Sequence, residues 1–276
     1  MLTIGCTYSL PIVEVVNSGV LLDADNLGQV HLSKKHLKDE SEVGQVIEVF
    51  LYKASDDVVI ATTEKPLCQL GEFAYLRVVD SSKIGAFVDI GLEKDVLVPL
   101  IEQHRPMEVG KSYIVYLYLD KKDKRLTGSS KIEKFLDDDA PHDFQNSQPV
   151  NLLIANSTDL GYKAIVNNSH WGVLFKNEVF ERLSFGQGKQ GYIKAVRPDG
   201  RLDLSLQGGK ETRDQYTQQV LDYLEKNNGY LALHDKSSPE EISRIFKMSK
   251  KAFKKTIGGL YKKRLIVIED AGIRLA

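Results

Sequence analysis

The run Ile84-Gly-Ala-Phe-Val-Asp-Ile-Gly-Leu-Glu-Lys-Asp-Val-Leu-Val-Pro-Leu100 reads as strand, tight turn, strand. Ala86, Val88 and Ile90 alternate with Phe87, Asp89 and Gly91, which gives the first strand one apolar side and one mixed side. After a polar turn, Val96–Leu100 is apolar again. Working outward, the same unit is written three times. Gly19-Val20-Leu21-Leu22-Asp23, Gly85-Ala86-Phe87-Val88-Asp89 and Gly161-Tyr162-Lys163-Ala164-Ile165 hold equivalent places. So do Gly28–Ser33 and Gly172–Asn177, with Val98-Pro99 in the middle copy. Two closing turns also match, Asp123-Lys124-Arg125-Leu126 and Asp199-Gly200-Arg201-Leu202.

Each copy predicts five short strands separated by Gly, Asn and Asp, the pattern of a small closed barrel rather than a parallel sheet. The expected divisions are barrels at residues 1–65, 66–135 and 147–208. An acidic linker at 136–146 is built on Asp137-Asp138-Asp139-Ala140-Pro141. Three adjacent carboxylates could be read as a metal cluster, but in an unpatterned loop they read as a solvated linker.

From Arg213 the apolar period becomes helical, with Tyr216, Val220, Tyr223 and Leu224, and Asn227-Asn228-Gly229 ends the helix. Ser238-Pro239-Glu240-Glu241 is a helix start with a capping box and Pro in the first turn. Ser249 caps a third helix reaching to about Arg264, with Phe253, Ile257 and Leu260 as its buried stripe. Leu265–Glu269 and Gly272–Ala276 form a hairpin. Three helices and a hairpin over 211–276 predict a winged helix. The fold class is therefore mainly β with a C-terminal α+β module.

The 276 residues carry 27% charged and 42% hydrophobic side chains and a net charge of −1. That balance excludes a uniformly basic coat and permits one basic patch offset by acid elsewhere. Cys6 and Cys68 fit no metal spacing and are expected to stay reduced. Met1–Cys6 faintly resembles a lipoprotein cleavage box, but no basic leader or apolar stretch precedes the cysteine, and no run approaches a membrane span. The expectation is a soluble cytoplasmic protein. There is no His-Glu-x-x-His, P-loop, Gly-x-Ser-x-Gly or dinucleotide glycine motif; Gly186-Gln187-Gly188 lacks the third glycine. No catalysis, metal or cofactor is expected.

The three units resemble the S1 type of oligonucleotide-binding (OB) barrel, in which strand-borne aromatics stack bases and Lys and Arg hold phosphates. The S1 pattern runs Gly-x-Phe-Val, then Gly-hydrophobic-Val-His-hydrophobic-Ser, then Asp-x-Arg. The first copy keeps His31 but has Leu21 for the Phe. The second keeps Phe87 and Arg125 but has Pro99 for the His. The third has Lys163 and Phe175 at those sites, with Asp199 and Arg201. The resemblance makes the third copy the richest platform: Phe175, Trp171, Tyr162, Lys163, Arg197 and Arg201. For Tyr162 a place in the barrel core stands equally open, because it falls one position from the matched Phe.

In the C-terminal module Arg244, Lys247, Lys250, Lys251, Lys254, Lys255, Lys262, Lys263 and Arg264 crowd together, with no acid between Lys247 and Arg264. Lys250, Lys251, Lys254 and Lys255 lie off the apolar stripe and, with Lys262 and Lys263, read as phosphate contacts rather than base readers.

The order of three tandem S1/OB-like barrels and a winged helix resembles the conserved virulence factor B (CvfB/YitL-like) family of bacterial S1-domain RNA-binding proteins. The closing run Gly191–Gln207 and the basic helix carry that resemblance. It implies binding of single-stranded RNA by the third barrel and winged helix, and a role in gene regulation without catalysis. The ribosome or another RNA–protein complex stands as a further candidate partner. The alternatives are a DNA-binding regulator acting through the winged helix, and an adaptor to the translation machinery whose first two barrels bind protein.

Overall fold

The computed structural model describes residues 1–37, 41–54, 58–136 and 142–276, with 209–212 described by backbone alone. The expected Asp137–Pro141 linker core lies outside the described residues. Two compact units divide the chain, residues 1–136 and 137–276.

The first unit holds two barrels. Strands β1 (Thr7–Val16), β2 (Gly19–Asp23), β3 (Gln29–Ser33), β4 (Val46–Lys53) and β5 (Val59–Thr62) close in the order β1-β2-β3-β5-β4. Strands β6 (Phe73–Ser82), β7 (Gly85–Val88), β8 (Val96–Pro99), β9 (Ser112–Leu119) and β10 (Leu126–Ser129) repeat that order. In the second unit, β11 (Pro149–Ser157), β12 (Gly161–Val166), β13 (His170–Phe175), β14 (Gly188–Val196) and β15 (Leu202–Ser205) close as β11-β12-β13-β15-β14.

In every barrel the third and fifth strands run parallel and the other pairs antiparallel. Each first strand carries a register shift at the same place, between Ile12 and Glu14, Val78 and Asp80, and Ile154 and Asn156. A bulge bends the strand and strengthens its twist, which lets a five-stranded sheet curl onto itself.

The alternation of the opening stretch becomes the inside and outside of barrel 2. Ala86, Val88 and Ile90 are buried in its core and Phe87 is half-buried on the outer side. The repeated glycine is required sterically. Gly19, Gly85 and Gly161 have φ of 151°, 158° and 153°, and a Cβ would lie 2.0–2.2 Å from the carbonyl oxygen of Leu32, Val98 and Leu174 respectively. The Asp-x-Arg turns are held by their aspartate side chains: Asp123 Oδ1 accepts the Arg125 N–H at 2.9 Å and Asp199 Oδ1 that of Arg201 at 3.2 Å.

Only Leu206, Gln207 and Gly208 separate β15 from helix α1 (Gly209–Lys226). This helix starts four residues before the Arg213 expected from periodicity, because Lys210, Glu211 and Thr212 carry no apolar signal. After it come β16 (Tyr230–Leu231), α2 (Pro239–Phe246), α3 (Lys250–Lys262), β17 (Ile266–Glu269) and β18 (Gly272–Leu275). β16 adds to the expected hairpin a third strand, giving the sheet order β16-β18-β17. Its two residues are too short to show an alternation.

The expected capping box forms at Ser238 and Glu241, and Ser249 caps α3 through the Ala252 N–H. Phe253, Ile257 and Leu260 are buried with Val220, Leu224 and Phe246. Each such side chain contributes about 1.5–3 kcal/mol of burial.

Two glycines in the middle of α3 work against this stability. Nothing lies within 4 Å of a Cβ built on Gly258 or Gly259. Gly258→Ala and Gly259→Ala are each expected to stabilise the domain by about 0.5–1 kcal/mol, read as a higher denaturant midpoint.

Candidate nucleic-acid interface

The register of barrel 3 decides which of its side chains share a surface. Ala164, Val166 and Leu174 fill the barrel core. Their neighbours Lys163, Ile165, Trp171, Val173 and Phe175 therefore face outward, with Ile165 paired to Trp171 and Lys163 to Val173. Tyr162 belongs to the inner set and packs on the core, so it is removed from the expected platform. Being one residue out of phase with Lys163 sends it to the other face.

Phe175 is the half-buried aromatic of this outer face. The Lys194 ammonium lies 5.5 Å and the Arg197 guanidinium 5.8 Å from its ring centroid. Both are within cation–π range, worth about 0.5–1 kcal/mol each where exposed. Arg197 is held in place by Asp203, whose Oδ1 lies 2.8 Å from Nε and 2.7 Å from Nη2. That pairing raises the Arg197 pKa above its ordinary value. Lys194 pairs with Glu178 at 2.5 Å.

The other expected residues are placed less openly. Trp171 is only 9% exposed, and the Lys163 ammonium caps its ring at 3.9 Å from the centroid. It is thus a support for Lys163 rather than a bare stacking surface. Arg201 is exposed at the turn, 3.8 Å from Asp199.

Lys194 and Asp203 were absent from the sequence-derived set. Lys194 falls in the register shift between Ile193 and Ala195, which breaks the alternation that would have flagged it. Asp203 was legible as the outward residue of Leu-Asp-Leu-Ser, but its pairing with Arg197 emerges only when β14 and β15 are aligned.

The corresponding face of barrel 2 has the opposite character. Phe87 pairs with Asp80 on one side and Leu97 on the other. The Asp95 carboxyl is pushed above its ordinary value by partial burial, then by Asp89 and Asp80. Those three carboxylates make the surroundings of Phe87 unfavourable to phosphate. Arg125 is exposed beside Asp123, at 4.0 Å.

In the winged helix, α2 ends at Lys247, whose φ of 52° turns the chain into α3. Lys251, Lys255, Lys262 and Lys263 are exposed and form no ion pair among the described residues. Lys254 sits 3.7 Å from Asp235, and Lys250 donates to the Lys236 carbonyl at 3.2 Å. The six expected cations therefore divide into four open ones and two already engaged.

This module is tied to barrel 3 within the second unit. The Ser249 hydroxyl that caps α3 also donates to Gln207 Oε1 at 3.0 Å. Tyr216 on α1 has its phenol pushed up to about 12, by burial first and then by Glu181 of the barrel.

Among the described residues no His, Cys, Asp and Glu group is arranged to hold a metal, and no helix is long and apolar enough to cross a membrane.

Three closed barrels with this strand order, followed by a winged helix, define a multidomain protein assembled from nucleic-acid-binding types of domain. The family model of the S1 domain matches residues 4–64 and 70–128, and that of the CvfB-like winged helix domain matches 218–275. Conserved virulence factor B of Staphylococcus haemolyticus and of Staphylococcus aureus are each 30% identical to the chain, over 99% of it and 94% of the relative. The Staphylococcus saprophyticus protein is 29% identical over the same shares. The chain belongs to the conserved virulence factor B family. A crystal structure of a multidomain protein with nucleic acid binding domains from Streptococcus pneumoniae is 26% identical, covers 99% of this chain and 98% of its own, and has a TM-score of 0.41.

Proposed function

We propose that the chain is a single-stranded RNA-binding protein that acts in the cytoplasm on gene expression after transcription, and that it carries out no catalysis. Barrel 3 stacks a base on Phe175, and α3 holds the backbone through its lysines. The observation that carries this reading is the pairing, within one compact unit, of a cation-flanked aromatic on the outer barrel face with four open lysines, three on α3 and one at its C-terminal cap. Stacking is tolerant of sequence, and lysine contacts to phosphate add affinity without reading bases. The acidic surroundings of Phe87 support giving this role to the third barrel rather than the second.

Phe175→Leu keeps an apolar, strand-compatible side chain and removes the ring. It is expected to weaken binding of single-stranded RNA by about 1–3 kcal/mol in a fluorescence anisotropy titration. An unchanged affinity would remove the barrel from the binding surface. The basic face of α3, in a helix-turn-helix arrangement, also supports a second reading, a regulator that binds duplex DNA. Duplex DNA displacing single-stranded RNA at equal salt would favour that reading over the first.

A further inference from the structure

Asp203 is out of place on a surface built to attract phosphate. Its partner across the parallel pair is Val173, two residues before Phe175, so it lies on the same outer face as that ring. The Arg197 guanidinium bridges the two, bound to Asp203 and lying 5.8 Å from the Phe175 centroid. Both contacts from Arg197 converge on one carboxylate oxygen, Oδ1. The second oxygen, Oδ2, has no hydrogen-bond partner among the described residues, and it is not among their buried unpaired atoms. The side chain is 17% exposed. The carboxylate is therefore fixed by Arg197, while one acceptor stays open beside the stacking ring.

An ionised carboxylate only accepts hydrogen bonds. A base stacked on Phe175 presents its edge to the neighbouring side chains. Cytosine, adenine and guanine each carry an exocyclic amino group, a donor that matches a carboxylate, as in the pairing of Asp or Glu with the cytosine amino group. The single ring N–H on the Watson–Crick edge of uracil is flanked by two carbonyl oxygens, which repel a carboxylate. We propose that Asp203 determines base specificity in barrel 3, favouring amino-bearing bases over uracil at the position stacked on Phe175. The inference rests on the reading of this barrel as a single-stranded RNA platform.

Asp203→Asn provides the sharpest test because it is nearly isosteric. Its carbonyl oxygen still accepts from Arg197, while the free position changes from acceptor to donor. The probes are labelled oligo(C), oligo(A) and oligo(U) of equal length, titrated against the full chain at fixed salt. For the natural protein, oligo(C) and oligo(A) are expected to bind about tenfold more tightly than oligo(U), the size of one charge-assisted hydrogen bond. In Asp203→Asn the loss of a negative charge raises all three affinities together, so the ratio is the diagnostic quantity. That ratio is expected to collapse or invert toward oligo(U). A natural protein that binds oligo(U) as well as the others overturns the proposal, as does a preference that survives Asp203→Asn. A natural protein that binds none of the three overturns the platform reading itself, and the specificity falls with it.

Discussion

Replacing Lys251, Lys255, Lys262 and Lys263 together by alanine is expected to flatten the salt dependence of RNA binding. Each lysine that neutralises a phosphate on a single strand contributes about 0.7 to the slope of log affinity against log salt. Losing four contacts should lower that slope by about 3 and the affinity in low-salt buffer by on the order of 10³-fold. The two proteins should converge as salt approaches molar concentrations, where counterion release no longer drives binding. The fold should tolerate the change, since all four side chains are exposed and make no ion pair among the described residues. The chief structural loss is the favourable interaction of Lys262 and Lys263 with the C-terminal end of α3, about 0.3–1 kcal/mol. Titrations across a salt series check the expectation, and an unchanged slope would show that α3 does not touch the backbone.

Gly161→Ala should be the most damaging small substitution in barrel 3. Its added carbon would sit 2.0 Å from the Leu174 carbonyl oxygen and 2.8 Å from the Lys176 nitrogen, both backbone atoms that cannot swing aside. The residue also holds φ at 153°, where an alanine is strained. Strain and overpacking together cost about 3–5 kcal/mol, a large share of the 5–15 kcal/mol that holds a typical domain. Gly200→Ala is the matched control. It has a positive φ of 81° but nothing within 4 Å of the added carbon, so it should lose only about 1–2 kcal/mol. Denaturant titration of the two variants separates steric collision from backbone strain. Equal midpoints would mean that β12 and β13 do not approach each other as closely at Gly161 as the barrel requires.

The same glycine explains why the architecture could be read from the chain. A residue forced by a backbone collision recurs wherever the barrel recurs, so Gly19, Gly85 and Gly161 marked the copies although their neighbours had diverged. The alternation of Ala86, Val88 and Ile90 and the cap at Ser238 were equally local and equally legible. The candidate site was harder because its parts meet through tertiary register. Alternation puts Trp171 on the outer face, yet it does not reveal that Lys163 lies across the ring. A bulge hides Lys194. Arg197 was visible as a cation, but its tether to Asp203 depends on how β14 is shifted against β15. The carboxylates Asp80, Asp89 and Asp95 are likewise separated in sequence and become one electrostatic environment only in the closed barrel.

The three-residue junction between β15 and α1 sets how the two candidate contacts cooperate. A ring that stacks one base and a helix that touches a few phosphates are each weak ligands. Once a strand is held by the first, the second engages it as an intramolecular event. The relevant quantity is then an effective concentration, in the millimolar range for short tethers. Two contacts of this kind gain about 10²–10⁴ in avidity without any additional interaction, provided the strand spans both. A short junction thus makes the length of the RNA itself a selected property.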